Sequence, residues 1–131
     1  MFRFVRECAT GAFQKPHPDE EYYGGLDLAR VEDFSVLVIL NSRRQVVHLD
    51  RFNKVDWSIQ VNRIQAAADK YNECPVRVDS TGAGEPVLQR LREAGINATA
   101  YPFTAASKAA LISNLSLMLE QKEIVLPRPD L

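Results

Sequence analysis

The sequence contains no run of about 18 apolar residues, so no membrane span is expected. Its two cysteines, Cys8 and Cys74, lie far apart and fit neither a zinc motif nor a disulfide framework. A reducing cytoplasm is the expected setting. The stretch Met1 to Phe13 is too charged and too interrupted for a signal peptide. There is no internal repeat and no low-complexity tract. Charge of one sign is lacking too: 16 basic residues face 17 acidic ones, for a net charge of -1. A general DNA binder is usually basic. A near-zero sum still permits an acidic cluster for metal and a basic rim for phosphate, because the two cancel.

What is present fits one ordinary domain. The chain has 131 residues, 46% apolar and 25% charged, enough to bury a core without staples. Residues 1–21 read as an approach segment, with Phe2, Phe4, Val5 and Phe13 as candidate anchors. Two prolines in Gln14-Lys15-Pro16-His17-Pro18-Asp19 make that stretch a loop. Regular structure is expected from Tyr22. Tyr22 to Ala29 is a candidate strand, in which Gly24 and Gly25 allow a bend or a close backbone approach. Phe34 to Leu40 (FSVLVIL) is β-branched and apolar, which predicts a strand buried on both faces. Gln45 to Phe52 is more polar and belongs nearer an edge. Short turns make these three an antiparallel meander.

The period then becomes helical. Trp57, Val61, Ile64, Ala68 and Tyr71 share one face, with Asp56 as N-cap. Cys74 to Asp79 predicts a short strand. A second helix starts at Gly84-Glu85-Pro86, buries Leu88, Leu91 and Ala94, and stops at Gly95. Ala98 to Phe103 predicts another strand. Ser107 to Gln121 predicts a third helix with Leu111, Leu115 and Met118 in register, and Ile124-Val125-Leu126 a last brief strand. The order β-β-β-α-β-α-β-α-β gives an α/β fold: three antiparallel strands, then parallel strands joined through helices by right-handed crossovers.

Two aspartates stand out. Asp27 interrupts the apolar stretch Gly25-Leu26-Asp27-Leu28, where a carboxylate is costly unless paired, metal-bound or at a strand end. Asp79 closes the next parallel strand, and ligands of open α/β sheets gather at carboxyl strand ends. Two such carboxylates on neighbouring strands repel, and a divalent cation relieves the repulsion. Oxygen-only ligands favour magnesium or manganese. The residues alone leave a second reading open, in which Asp79 is a turn former before Ser80-Thr81-Gly82. The turn DSTGAGEP lacks both the Gly-Lys-Ser/Thr ending of a nucleoside triphosphate loop and the GxGxxG spacing. His48 has no Cys or His neighbour in sequence and reads as structural. Ser80 has no recognisable catalytic histidine, with His17 and His48 outside any triad motif. Lys108, in the first turn of a helix where a cation gains nothing from the dipole, and Arg30, in the turn after the first strand, are the candidate DNA contacts.

The segments GGLDLARVEDFSVLVIL, VRVDSTGAGEPV and SKAALISNLSLMLEQKEIVLP, in that order, resemble the nuclease domain of tailed-phage large terminase subunits. The likeness covers roughly residues 22–127, and Arg3 to Phe13 is similar to the stretch joining the family's ATPase and nuclease lobes. The resemblance implies an RNase H-like fold, a mixed sheet with helices on its faces. It also implies metal-dependent endonuclease activity on double-stranded DNA, by a two-ion mechanism with Mg2+ or Mn2+. Asp27 and Asp79 match the first two metal-binding positions. The implied partners are DNA, the ATPase lobe, the small terminase subunit and the portal, in the cytoplasm of an infected bacterial host. The sequence has no Walker A motif. The family's further aspartate on a later helix has no match here, since Asp130 lies too close to the preceding strand. A C-terminally incomplete nuclease domain over residues 22–131 is therefore the expected organisation. Two alternatives are a non-catalytic RNase H-like module that binds DNA or docks onto the motor, and a resolvase- or integrase-type nuclease.

Overall fold

The computed structural model describes residues 2–28, 34–53, 56–79, 84–101 and 104–130. A short helix α1 (Val5–Cys8) precedes three strands, β1 (Tyr22–Asp27), β2 (Ser35–Asn41) and β3 (Val46–Phe52). Helix α2 (Trp57–Lys70), strand β4 (Val76–Asp79), helix α3 (Gly84–Glu93), strand β5 (Ala98–Tyr101) and helix α4 (Ala105–Glu120) follow. The strands form one sheet in the order β3-β2-β1-β4-β5. β1 pairs antiparallel with β2, and β2 with β3, while β4 runs parallel to both β1 and β5. The meander and its parallel extension are thus as the turn lengths and helical crossovers predict, with the polar β3 at the edge.

The main core lies between one sheet face and helices α2 and α3. Tyr22, Leu26, Leu37, Ile39, Val76 and Val78 supply the sheet side, and Ile64, Ala67, Ala68, Leu88 and Leu91 the helix side. Gly24 belongs to this face for a steric reason. A Cβ there would come within 3.1 Å of a Val76 methyl, and the Gly24 N–H donates to the Pro75 carbonyl at 2.8 Å. Glycine therefore lets β4 close against β1. On β2 the residues alternate between fully and partly buried rather than being sealed on both sides. Its second face, carrying Val36, Val38 and Leu40, is covered only in part, by α4.

The helix ends explain where the expected boundaries hold and where they move. α3 ends in a Schellman motif: Gly95 takes φ +92°, its N–H donates to Arg92 O, and Ile96 N–H donates to Leu91 O. Leu91 and Ile96 are both buried beside this turn. Asp56 does occupy the N-cap position of α2, but its side chain makes no cap hydrogen bond. α4 begins at Ala105, ahead of the expected Ser107, because Thr104 is its N-cap. The Thr104 hydroxyl accepts from Ser107 N–H at 3.1 Å, and the Ser107 hydroxyl accepts from Thr104 N–H at 2.9 Å. Serine 107 is thus the third helical residue.

Both ends of the chain depart from expectation. Phe2, Phe4, Val5 and Phe13 are exposed and do not anchor the N-terminal segment. Cys8 does so instead, buried against Leu119 and Ile124 with Leu40, Leu115, Met118 and Leu126 around them. The stretch Ile124–Leu126 is not a strand of the sheet. It makes isolated parallel bridges, Gly11 with Pro127 and Gln45 with Val125. Pro127 and Pro129 lack the N–H that a longer ladder requires. Leu126 N–H donates to Cys8 O and Gly11 N–H to Leu126 O, each at 2.9 Å, so the two termini are laced to one another.

Candidate active site

Asp27 and Asp79 are the last residues of β1 and β4, which lie side by side. The parallel register pairs Gly25 with Arg77 and Leu26 with Val78. One further step brings Asp27 level with Asp79. Side chains alternate across a strand, so Leu26 and Val78 point into the core and both aspartates point to the opposite face. Adjacent strands stand about 4.8 Å apart, so the two aspartate side chains are neighbours on that face. Asp27 is exposed and Asp79 half-buried.

Both line one cleft of about 980 Å³ on the second face of the sheet. Its walls are mostly apolar. Val36 and Val38 come from β2, and Leu111 and Leu115 from α4. This accounts for the apolar second face of β2 and for the weakly covered side of α4, where Leu111 is 40% exposed. The polar groups are few: the two aspartates, Arg77, Tyr101 and Lys108. Lys108 stands on the rim, exposed, in the first turn of α4. Arg30 lies outside the described residues, as do Ser80 to Ala83.

Among the described residues, no group of three or more His, Cys, Asp or Glu side chains gathers as a metal cluster. The donor set offered by the cleft is therefore two carboxylates, an all-oxygen pair that suits hard divalent ions and not zinc-type thiolate or imidazole coordination. The fit is good on that chemistry. Two anions at adjacent strand ends, above an apolar wall, are stabilised by a shared cation. His48 is elsewhere, tilted against Tyr71 with ring centroids 5.5 Å apart. Cys8 and Cys74 are free, buried and in separate clusters.

The sequence reading passed over Arg77 and Tyr101. A signal for Arg77 was available: it precedes Asp79 by two residues on a strand, so period two puts both on one face. Tyr101 is the register partner of Asp79 on β5, a relation between residues 22 positions apart that no local pattern carries.

This architecture has counterparts. The terminase RNaseH-like domain model matches residues 24–131. The chain belongs to that family. The large terminase subunit of Thermus virus P23-45 is 36% identical over 112 residues, which cover 84% of this chain and 23% of that protein. The crystal structure of the large terminase nuclease from thermophilic phage G20c with bound magnesium superposes with a TM-score of 0.82 at 32% identity, over 89% of this chain and 63% of that one. The nuclease domain of the Thermus phage P74-26 large terminase gives a TM-score of 0.79 at 32% identity, covering 89% and 61%. This RNase H-like domain thus spans about a quarter of the length of the full large subunit it matches. No helix among its described residues is long and apolar enough to cross a membrane.

Proposed function

We propose that this chain is the metal-dependent nuclease domain of a viral DNA-packaging terminase, hydrolysing phosphodiester bonds of double-stranded DNA. The observation that carries the proposal is the in-step placement of Asp27 and Asp79 at adjacent strand ends, facing one cleft. Support for the cation comes from that all-oxygen pair and from the terminase nuclease of phage G20c, whose structure holds magnesium. Asp27 and Asp79 hold Mg2+ or Mn2+ in this reading, in a two-ion site. Divalent ions there supply Lewis-acid stabilisation of the attacking and leaving oxygens of phosphodiester hydrolysis.

The chain's own residues do the rest. The two carboxylates would bind and orient the cations. Val36, Val38, Leu111 and Leu115 give the cleft an apolar wall beside them. Lys108 offers a cation on the rim for the DNA backbone, and Arg30, which follows β1 in the sequence, is a second candidate. The DNA partner, the ATPase lobe, the small terminase subunit, the portal and the infected host cytoplasm belong to this proposal.

The test is cleavage of supercoiled plasmid with manganese or magnesium, together with calorimetric titration of manganese. Asp27→Asn and Asp79→Asn are each expected to lose more activity than the roughly 10–100-fold that removal of an outer supporting residue costs, and to lose the manganese heat. Variants that both cut like the parent would overturn the assignment. A non-catalytic DNA-binding module would instead give no manganese heat with the parent.

A further inference from the structure

We infer that Arg77 and the open floor at Gly25 form a subsite for a DNA backbone phosphate flanking the one to be cut. The inference rests on the nuclease reading above and adds to it the residue that grips the substrate strand. Arg77 lies two residues before Asp79 on β4 and points into the same cleft. Two steps along a strand are about 6.6 Å, so the Arg77 backbone stands back from the aspartate pair, on the side where a neighbouring phosphate would lie. The guanidinium sits over the ring of Tyr101, 5.7 Å from its centroid. That distance is within cation–π range, and Tyr101 is itself a wall of the cleft. A contact with a ring face uses none of the guanidinium's N–H donors, and a guanidinium fork matches phosphate oxygens two at a time.

Gly25 supplies the independent observation. It is the register partner of Arg77 on β1 and also lines the cleft. A Cβ built there would meet no heavy atom within 4 Å, in contrast to the tight fit at Gly24. Its φ is not in the left-handed region, where among the described glycines only Gly95 lies. Neither packing nor backbone conformation therefore calls for glycine at position 25, and glycine weakens a strand interior. What it leaves is bare floor beside an arginine, the space a sugar-phosphate backbone needs to come close.

The experiment is fluorescence anisotropy of a labelled DNA duplex with the full chain in a chelating buffer, repeated across salt concentrations. Manganese-supported cleavage is followed in parallel. Arg77→Gln is expected to weaken binding about tenfold, the loss of one charge-assisted phosphate contact. The slope of log affinity against log salt should fall by about 0.9. Arg77→Lys should restore the slope but not the full affinity. In cleavage, KM should rise with kcat held, as for a contact made equally before and during reaction. Gly25→Val guards against a folding artefact: it should keep or raise Tm and still weaken DNA binding. An Arg77→Gln protein with the parent's affinity and salt slope overturns the inference. So does a Gly25→Val protein that binds like the parent, or a loss confined to kcat. The nuclease reading fails separately, if the aspartate variants cut normally, and the anisotropy result decides Arg77 in either case.

Discussion

His48 shows how a single half-buried side chain sets a pH dependence without taking part in the chemistry. Burial lowers its pKa from the ordinary 6.5, Lys70 pushes the same way, and Asp50 opposes them. The folded state therefore favours the neutral imidazole, while the unfolded chain takes up the proton at its ordinary value. Stability is full above pH 6.5 and falls as pH drops through that value toward the lower folded pKa. Thermal unfolding followed between about pH 8 and pH 5 is expected to show this decline in the parent and a flatter profile in His48→Gln. An equal decline in both would assign the effect to other groups. The same scale explains why the two adjacent glycines differ. Gly24 is held by contact with Val76, and Gly25 faces open space, so one sequence doublet serves both packing and cleft.

At the scale of elements, α4 is the helix most dependent on its ends. Leu119 is its one fully buried residue, and Leu111, Ile112 and Leu117 are exposed. With little burial to hold it, the Thr104–Ser107 capping box carries a large share of its local stability. Thr104→Ala is expected to cost about 1 kcal/mol, measured by urea unfolding. It should also speed amide exchange at Lys108, whose N–H donates to Thr104 O at 2.9 Å. Loss of global stability without faster exchange at Lys108 would place the effect elsewhere. The cap was hidden in the sequence by its own chemistry. Serine at both N-cap and third helical position is plausible, so Ser107 reads as a start until Thr104 is seen to bond it. The α3 stop was plain by contrast, because Gly95 after an amphipathic run has one common meaning.

Across the whole molecule, a second small core joins residues that the chain order keeps farthest apart. Cys8 packs on Leu119 and Ile124, and its thiol lies 3.5 Å from the Leu119 carbonyl, 111 positions away. This cluster fastens the N-terminal segment, α4 and the tail after it to the second face of the sheet, beside the cleft. Leu119→Ala is expected to destabilise by about 2–5 kcal/mol, the usual cost of such a cavity. Hydrogen exchange should accelerate first at Gly11 and Leu126, the amides that lace the termini together. If those amides exchange with the main core instead, the two clusters unfold as one unit.

Most of the architecture was readable from short-range pattern. Apolar alternation marked the strands, helical spacing marked α2 and α3, and turn length together with helical crossovers dictated which neighbours run antiparallel or parallel. Asp27 was conspicuous as a carboxylate inside an apolar stretch, whereas Asp79 by itself read equally as a turn former. Local pattern stops where a contact joins distant positions. That Asp27 and Asp79 face one cleft depended on the β1–β4 register, and Arg77 acquired Tyr101 only through the β4–β5 pairing. The choice of Cys8 over four phenylalanine and valine candidates as the N-terminal anchor, and the reduction of Ile124–Leu126 to isolated bridges, also needed the folded chain. A residue's secondary structure is governed by neighbours within a few positions, whereas its partners in a cleft or core are chosen by how whole elements pack.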